Sequence, residues 1–318
     1  MRFRTEYIPS KGSFTLDPRK KAVLVGSCFA DSIGRIMRLS LWDASVNPCG
    51  TLFNPASMAR VMQLAIDHTD PEDFWKDDDG IWRSWDFPSQ FAGLTADECA
   101  RKCRKALSSL AASMKSAETL IATFGTSIIY SLYGTDRVVA NCHKQPAKLF
   151  HRTRMKVEEI VSMWHTLLTR LREINPSLKI ILTVSPVRHV KEGFTENSRS
   201  KATLLLACEE LCRSLERCEY FPAYEILTDD LRDYRFYASD LVHPSAEAEE
   251  YIFSLFTETF LRSEEIRLLD EGRALTRRAR HRSLIPKSES AGKFDHDTRK
   301  LILDWTDRNP EMLTPDRI

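Results

Sequence analysis

The stretch Val23-Leu24-Val25-Gly26-Ser27-Cys28-Phe29-Ala30-Asp31-Ser32-Ile33-Gly34 decides how the rest of the chain is read. A short β-branched apolar run reaches a glycine, then two side chains able to act as nucleophiles, Ser27 and Cys28, then a helix start. Continuous apolar residues closed by a punctuating glycine read as a buried strand. The turn at the carboxyl end of a parallel strand is where open α/β sheets bind ligands. Amides opening the next helix would then face a developing oxyanion. The same residues also fit an ordinary strand-to-helix turn, with Ser27 as the cap and Cys28 buried.

A second stretch, Ser239-Asp240-Leu241-Val242-His243-Pro244-Ser245, bears on that choice. An Asp three residues before a His can set its carboxylate against the imidazole Nδ1–H, which fixes the tautomer and leaves Nε2 free to take a proton from a nucleophile. Pro244 fits the first turn of a helix running on through Ile252.

Between the two stretches, apolar runs alternate with helix-period segments, as in a parallel sheet with crossover helices. Strands are expected at 119–124 and 179–184, and helices at about 31–40, 56–67, 96–116, 157–174, 197–217 and 246–261. The first of these strands ends at Gly125-Thr126-Ser127, and the second delivers Ser185-Pro186-Val187-Arg188-His189 to the same edge. Arg188 can hold a carboxylate or phosphate in two-pronged fashion, or pair with Glu225 or Asp240. Asn141-Cys142-His143-Lys144 is the densest polar cluster; it offers His143 as an acid/base group and Lys144 as an anion anchor, or it is a surface loop.

Gly26-Ser27-Cys28-Phe29-Ala30 resembles the signature that names the GSCFA family, and Asp240-x-x-His243-Pro244 resembles the last block of SGNH/GDSL-type hydrolases. The stretches 141–144, 185–189 and 221–226 also look like GSCFA motifs, and the resemblance covers roughly residues 7 to 260. It implies a flavodoxin-like three-layer α/β/α sandwich. In Gly-Asp-Ser hydrolases the nucleophile stands two residues after the glycine, which here is Cys28, while Ser27 takes the Asp position. The superfamily's Gly-x-Asn block, which helps to hold the oxyanion, is matched by Gly125-Thr126-Ser127, with Ser127 in place of the Asn. Gly125 N–H remains a candidate donor, and Asn141 is the residue to supply the missing amide or is a structural turn residue.

The function implied is an SGNH-like esterase or acyltransferase working on an acyl ester, with an O-acetylated carbohydrate suggested by the superfamily. Cys28 or Ser27 attacks, His243 serves as base and then acid, and Asp240 orients it. No metal or organic cofactor is required, and an acyl-CoA donor is compatible with a transferase. A non-catalytic alternative uses Arg188, His189, Lys144 and an aromatic hairpin to bind a small anionic or glycan ligand without covalent chemistry.

Composition narrows the partners. The 318 residues carry 46 Lys and Arg against 45 Asp and Glu, a net charge of +1, so no global field draws nucleic acid or an anionic membrane. The opening Met1-Arg2-Phe3-Arg4-Thr5-Glu6 lacks the apolar core of a signal peptide, and no apolar run approaches membrane-spanning length. Eight cysteines in that context read as reduced thiols in a cytoplasmic protein. The pairs Cys99/Cys103 and Cys208/Cys212 sit four apart on expected helices and read as helix thiols rather than a zinc site.

Two segments break the alternation. Over about 70–93, Phe74, Trp75, Trp82, Trp85, Phe87 and Phe91 crowd around Asp77-Asp78-Asp79-Gly80, an insertion that reads as a hairpin near the site's rim. Its aromatics either pin it to the domain or wall a sugar or acyl group. The main domain is set at 1–262, followed by a basic, partly helical extension over 263–318. Arg277-Arg278-Ala279-Arg280-His281-Arg282 marks that extension as a solvated tail or a partner contact.

Overall fold

The computed structural model describes residues 4–317, with Glu192 described by its backbone alone. Its first strand, β1 (Ala22–Gly26), is buried along its whole length, and helix α1 (Cys28–Leu39) starts two residues after it ends. The chain returns to β2 (Ala44–Val46), parallel to β1, and then runs into α2 (Pro55–Asp67) behind an Asn54 cap. The insertion forms the antiparallel pair β3 (Phe74–Lys76) and β4 (Trp82–Ser84) around the expected acidic turn. Then come α3 (Ala96–Ser116) and the fully buried β5 (Thr119–Phe124).

A small antiparallel sheet of β6 (Ile128–Leu132), β7 (Val138–Val139) and β8 (Phe150–Arg154) follows, which the alternation of the sequence does not announce. Helix α4 (Val157–Ile174), strand β9 (Lys179–Val184), helix α5 (Phe194–Ser214) and strand β10 (Cys218–Phe221) restore the crossover pattern. The chain closes with the one-turn α6 (Ala223–Glu225), α7 (Ala246–Phe260), α8 (Ser263–Ala279) and α9 (Glu289–Arg308).

The main sheet has the order β10-β9-β5-β1-β2, every neighbouring pair parallel. Taken in chain order its five strands lie 2-1-3-4-5, the flavodoxin-like winding, whose switch point lies beside the first strand. One core fills the face under α2, α3, α4 and α5, where Trp164, Phe124 and Leu182 are fully buried. A second fills the opposite face under α1, α7 and α8. The protein is therefore a three-layer α/β/α sandwich, as expected.

The extension departs from a solvated tail. Leu268, Leu269, Leu275, Trp305 and Met312 are buried in the same core as Ile36, Met37 and Phe253. Gly272 of α8 sits so close to α1 that a Cβ would come 2.6 Å from the Ser40 carbonyl oxygen, and Leu313 N–H donates to Leu41 O at 2.9 Å. Among the described residues no helix is long and apolar enough to cross a membrane.

Candidate active site

The carboxyl edge of the sheet gathers the ends of β1, β5 and β9. At the first, Gly26 takes φ +139°, and a Cβ there would stand 2.2 Å from Thr123 O, so only glycine lets β1 turn this tightly against β5. Asn47 holds the turn: its Oδ1 accepts from Gly26 N–H at 2.8 Å, and its Nδ2 donates to Asp31 Oδ1 at 2.8 Å. Thr51 Oγ1 donates to the other Asp31 oxygen at 2.9 Å, tying the loop after β2 to α1.

The two nucleophile candidates separate here. Ser27 is fully buried and is the cap of α1, its Oγ accepting from Phe29 N–H at 3.3 Å. Cys28, the first residue of the helix, is only partly buried. Burial and then the Asp31 carboxylate push its thiol up; the amides of Cys28 and Phe29 and the Lys201 ammonium pull the other way without cancelling the rise.

Lys201 is the residue that the motifs do not reveal. It lies on α5 with 1% exposure, and its Nζ donates to Gly125 O at 2.7 Å and Ser185 O at 2.6 Å, clasping the ends of β5 and β9. Burial lowers its pKa to about 7, and the facing Cys28 thiol opposes the fall. A signal was present: Asn197, Lys201, Leu204, Cys208 and Leu211 follow the alternating four-three spacing of a buried helix stripe.

Gly125 is packed too tightly for a side chain, since a Cβ would come 2.9 Å from Phe53 O, 3.3 Å from Ser27 Cβ and 3.4 Å from His189 Nε2. Its N–H donates to Phe53 O at 2.8 Å, so the expected oxyanion donor is already engaged. Thr126 and Ser127 do not face the site as donors either: both hydroxyls share Ser200 Oγ, at 3.0 and 3.1 Å, which fastens β5 to α5. Of the two amides beside the thiol, Phe29 N–H is given to Ser27 Oγ, which leaves that of Cys28.

His189 meets the ring of Phe53 edge-on at 5.8 Å, and its N–H donates to Asn197 Oδ1 at 2.9 Å. Burial first, then the charges of Lys201 and His243, drive its pKa to about 4, so its imidazole is neutral at neutral pH. Arg188 N–H donates to Val242 O at 3.3 Å, which joins the β9 edge to the His243 loop.

His243 meets the expectation of the sequence. Its Nδ1 lies 2.6 Å from Asp240 Oδ2, while Asp240 Oδ1 accepts from Val242 N–H at 2.9 Å and His243 N–H at 3.0 Å. These backbone donors and then the imidazole hold the Asp240 pKa at about 2, although both side chains are about half exposed. A bridge between Tyr237 and Pro244 closes the loop, with Ala238 N–H donating to His243 O at 2.8 Å.

Arg188 pairs with neither Glu225 nor Asp240. Its guanidinium stacks over Tyr237 at 4.4 Å and Tyr234 at 5.2 Å, and donates to Leu241 O within the His243 loop. It is a clamp on that loop, with its planar face taken by the tyrosines.

His143 is not drawn into the nucleophile cluster. It is buried, Nε2 within 2.9 Å of Ser84 O and Nδ1 within 3.1 Å of Ser89 Oγ, with Trp75 and Trp85 against its ring. Burial lowers its pKa. Asn141 Oδ1 accepts from His143 N–H at 2.7 Å, so its side-chain oxygen shapes the turn, and Lys144 is exposed with φ +60°. Burial pushes the Cys142 thiol up, and the Lys191 charge opposes it. The hairpin's Trp75 and Trp85 stack on each other at 4.3 Å, and Trp85 meets Phe150 of β8 edge-on at 5.8 Å, which pins the insertion to the small sheet.

Fold and site together define a doubly wound α/β protein with a Gly-Ser-Cys turn after its first strand and a His–Asp pair late in the chain. Residues 21–256 match the GSCFA family, and the chain belongs to it. No curated protein matches the chain. Among solved structures, it is similar to a carbohydrate esterase family 2 enzyme from Corynascus thermopiles, at 10% identity and TM-score 0.41, over 81% of this chain and 69% of that one. It is also similar to a carbohydrate esterase family 3 protein from Talaromyces cellulolyticus, at 8% identity and TM-score 0.37, over 79% and 99%. A family 3 carbohydrate esterase from Clostridium thermocellum overlaps at 11% identity and TM-score 0.32, over 79% and 97%. At this likeness no residue role is taken from them.

Proposed function

We propose that the protein is an acyl-ester hydrolase or acyltransferase of the SGNH type that uses Cys28 as its nucleophile. The observation that carries this reading is the His243–Asp240 pair at 2.6 Å, with the carboxylate also fixed by two backbone amides. That arrangement leaves Nε2 as the working nitrogen. Ser27 is spent on capping α1, whereas Cys28 sits at the helix start, where the amides and dipole offset part of the rise that burial and Asp31 impose on its thiol.

In the reaction, His243 takes the Cys28 proton as sulfur attacks the acyl carbonyl. The tetrahedral oxyanion faces the amide of Cys28, and collapse expels the leaving group, which recovers the proton from His243. The thioester on Cys28 is then attacked by water, or by an acceptor hydroxyl in a transferase, as His243 again removes the proton; collapse breaks the C–S bond, releases the acid or new ester, and the Cys28 sulfur takes the proton back from His243. Oxygen esters such as O-acetylated carbohydrates and thioesters such as acyl-CoA both satisfy this scheme.

The test is to expose the purified protein to p-nitrophenyl acetate and to acetyl-CoA, quench in acid and map the trapped acetyl group. The expected adduct is on Cys28; it disappears in Cys28→Ala, persists in Ser27→Ala, and forms about 10²–10⁴-fold more slowly in His243→Ala. An adduct on Ser27 would reverse the assignment. Neither adduct nor turnover with either donor would overturn covalent acyl chemistry.

A further inference from the structure

Helix α1 carries a second polar feature away from its catalytic end. Asp31, Arg35 and Arg38 recur at spacings of four and three, so they share one helix face. With Leu39, Val46 and Arg280 they wall a cleft of about 520 Å³. Arg280 comes from the C-terminal cap of α8, beyond the 21–256 span of the family match, so the extension completes this cleft.

Its charges are unevenly compensated. Arg35 pairs with Glu249 at 3.0 Å, and the Asp31 oxygens are occupied by Asn47 and Thr51. Arg38 and Arg280 have no hydrogen-bonding or ionic side-chain partner among the described residues. The neighbouring Arg277 and Arg282 also lack a carboxylate partner there, so the positive field continues past the rim. Guanidinium forks suit tetrahedral oxyanions, which they grip by two parallel hydrogen bonds.

We propose that this cleft binds a ligand through a diphosphate group held by Arg38 and Arg280. Ten residues of helix separate Arg38 from Cys28, about 15 Å, so the arginine end of the cleft lies apart from the Cys28 turn and its binding does not depend on the acyl chemistry.

The experiment is calorimetric titration of the full chain with sodium pyrophosphate at low ionic strength, with sodium chloride as the control. Saturable binding is expected, weakened by added salt. The pair Arg38→Ala and Arg280→Ala should lower affinity at least tenfold, while Arg282→Ala keeps it. All three side chains are exposed, and unchanged circular dichroism and melting would show that the variants fold. No saturation by about 10 mM pyrophosphate would overturn the proposal. So would binding that survives the cleft pair or that falls equally in Arg282→Ala, since the anion would then belong to the tail's charge run.

Discussion

Cys28 and Ser27 are neighbours with similar chemistry, and their difference comes from one backbone position. Ser27 precedes the helix and turns inward to cap it; Cys28 begins the helix and stays partly open. His189 shows how strongly its surroundings decide a side chain's charge. Its pKa of about 4 in the folded protein lies below the ordinary value of 6.5. Between about pH 6.5 and pH 4 the unfolded chain therefore takes a proton that the folded one refuses, and stability falls as pH falls through that window. Urea unfolding across the window should show this slope flattened in His189→Phe. An unchanged slope would assign the acid sensitivity elsewhere.

At the strand ends, backbone sterics and buried donors set the site. Gly26→Ala forces a Cβ into Thr123 O at an unfavourable φ, and should cost about 2–5 kcal/mol in chemical denaturation. A cost under about 0.5 kcal/mol would show that β1 and β5 separate easily. Lys201 joins β5, β9 and the thiol. Lys201→Met removes a positive group that acts on Cys28, so carbamidomethylation of Cys28 by iodoacetamide should slow severalfold at neutral pH and its pH profile should move upward. An unshifted profile with intact folding would confine Lys201 to clasping the two carbonyls.

Across the molecule, two cores lie on either side of one parallel sheet, and the C-terminal helices belong to the second. Trp305 is 2% exposed and its indole N–H donates to Leu313 O at 3.3 Å. Trp305→Ala should destabilise the whole protein by about 3–5 kcal/mol, read as a single lowered unfolding transition. A separate early transition, with the main one unmoved, would show that α8 and α9 melt on their own. The basic run of the sequence suggested a tail because its arginines are conspicuous, while the apolar stripe Leu268, Leu269, Leu275 that docks it is short and interrupted.

What the sequence determined by itself is whatever a few adjacent residues encode. The β1–Gly26–α1 turn, the Asp240–His243 pair, the hairpin around Asp77 to Gly80 and the alternation of strands and helices are of this kind. Each rests on backbone geometry or reach within three or four residues. Tertiary structure decided which groups remain available. It spent the Gly125 amide on Phe53, stacked Arg188 between two tyrosines, turned His143 into a pin, and buried Lys201 against β5 and β9. A polar group's role depends on the partners that satisfy it, and these lie from 16 to 76 residues away along the chain.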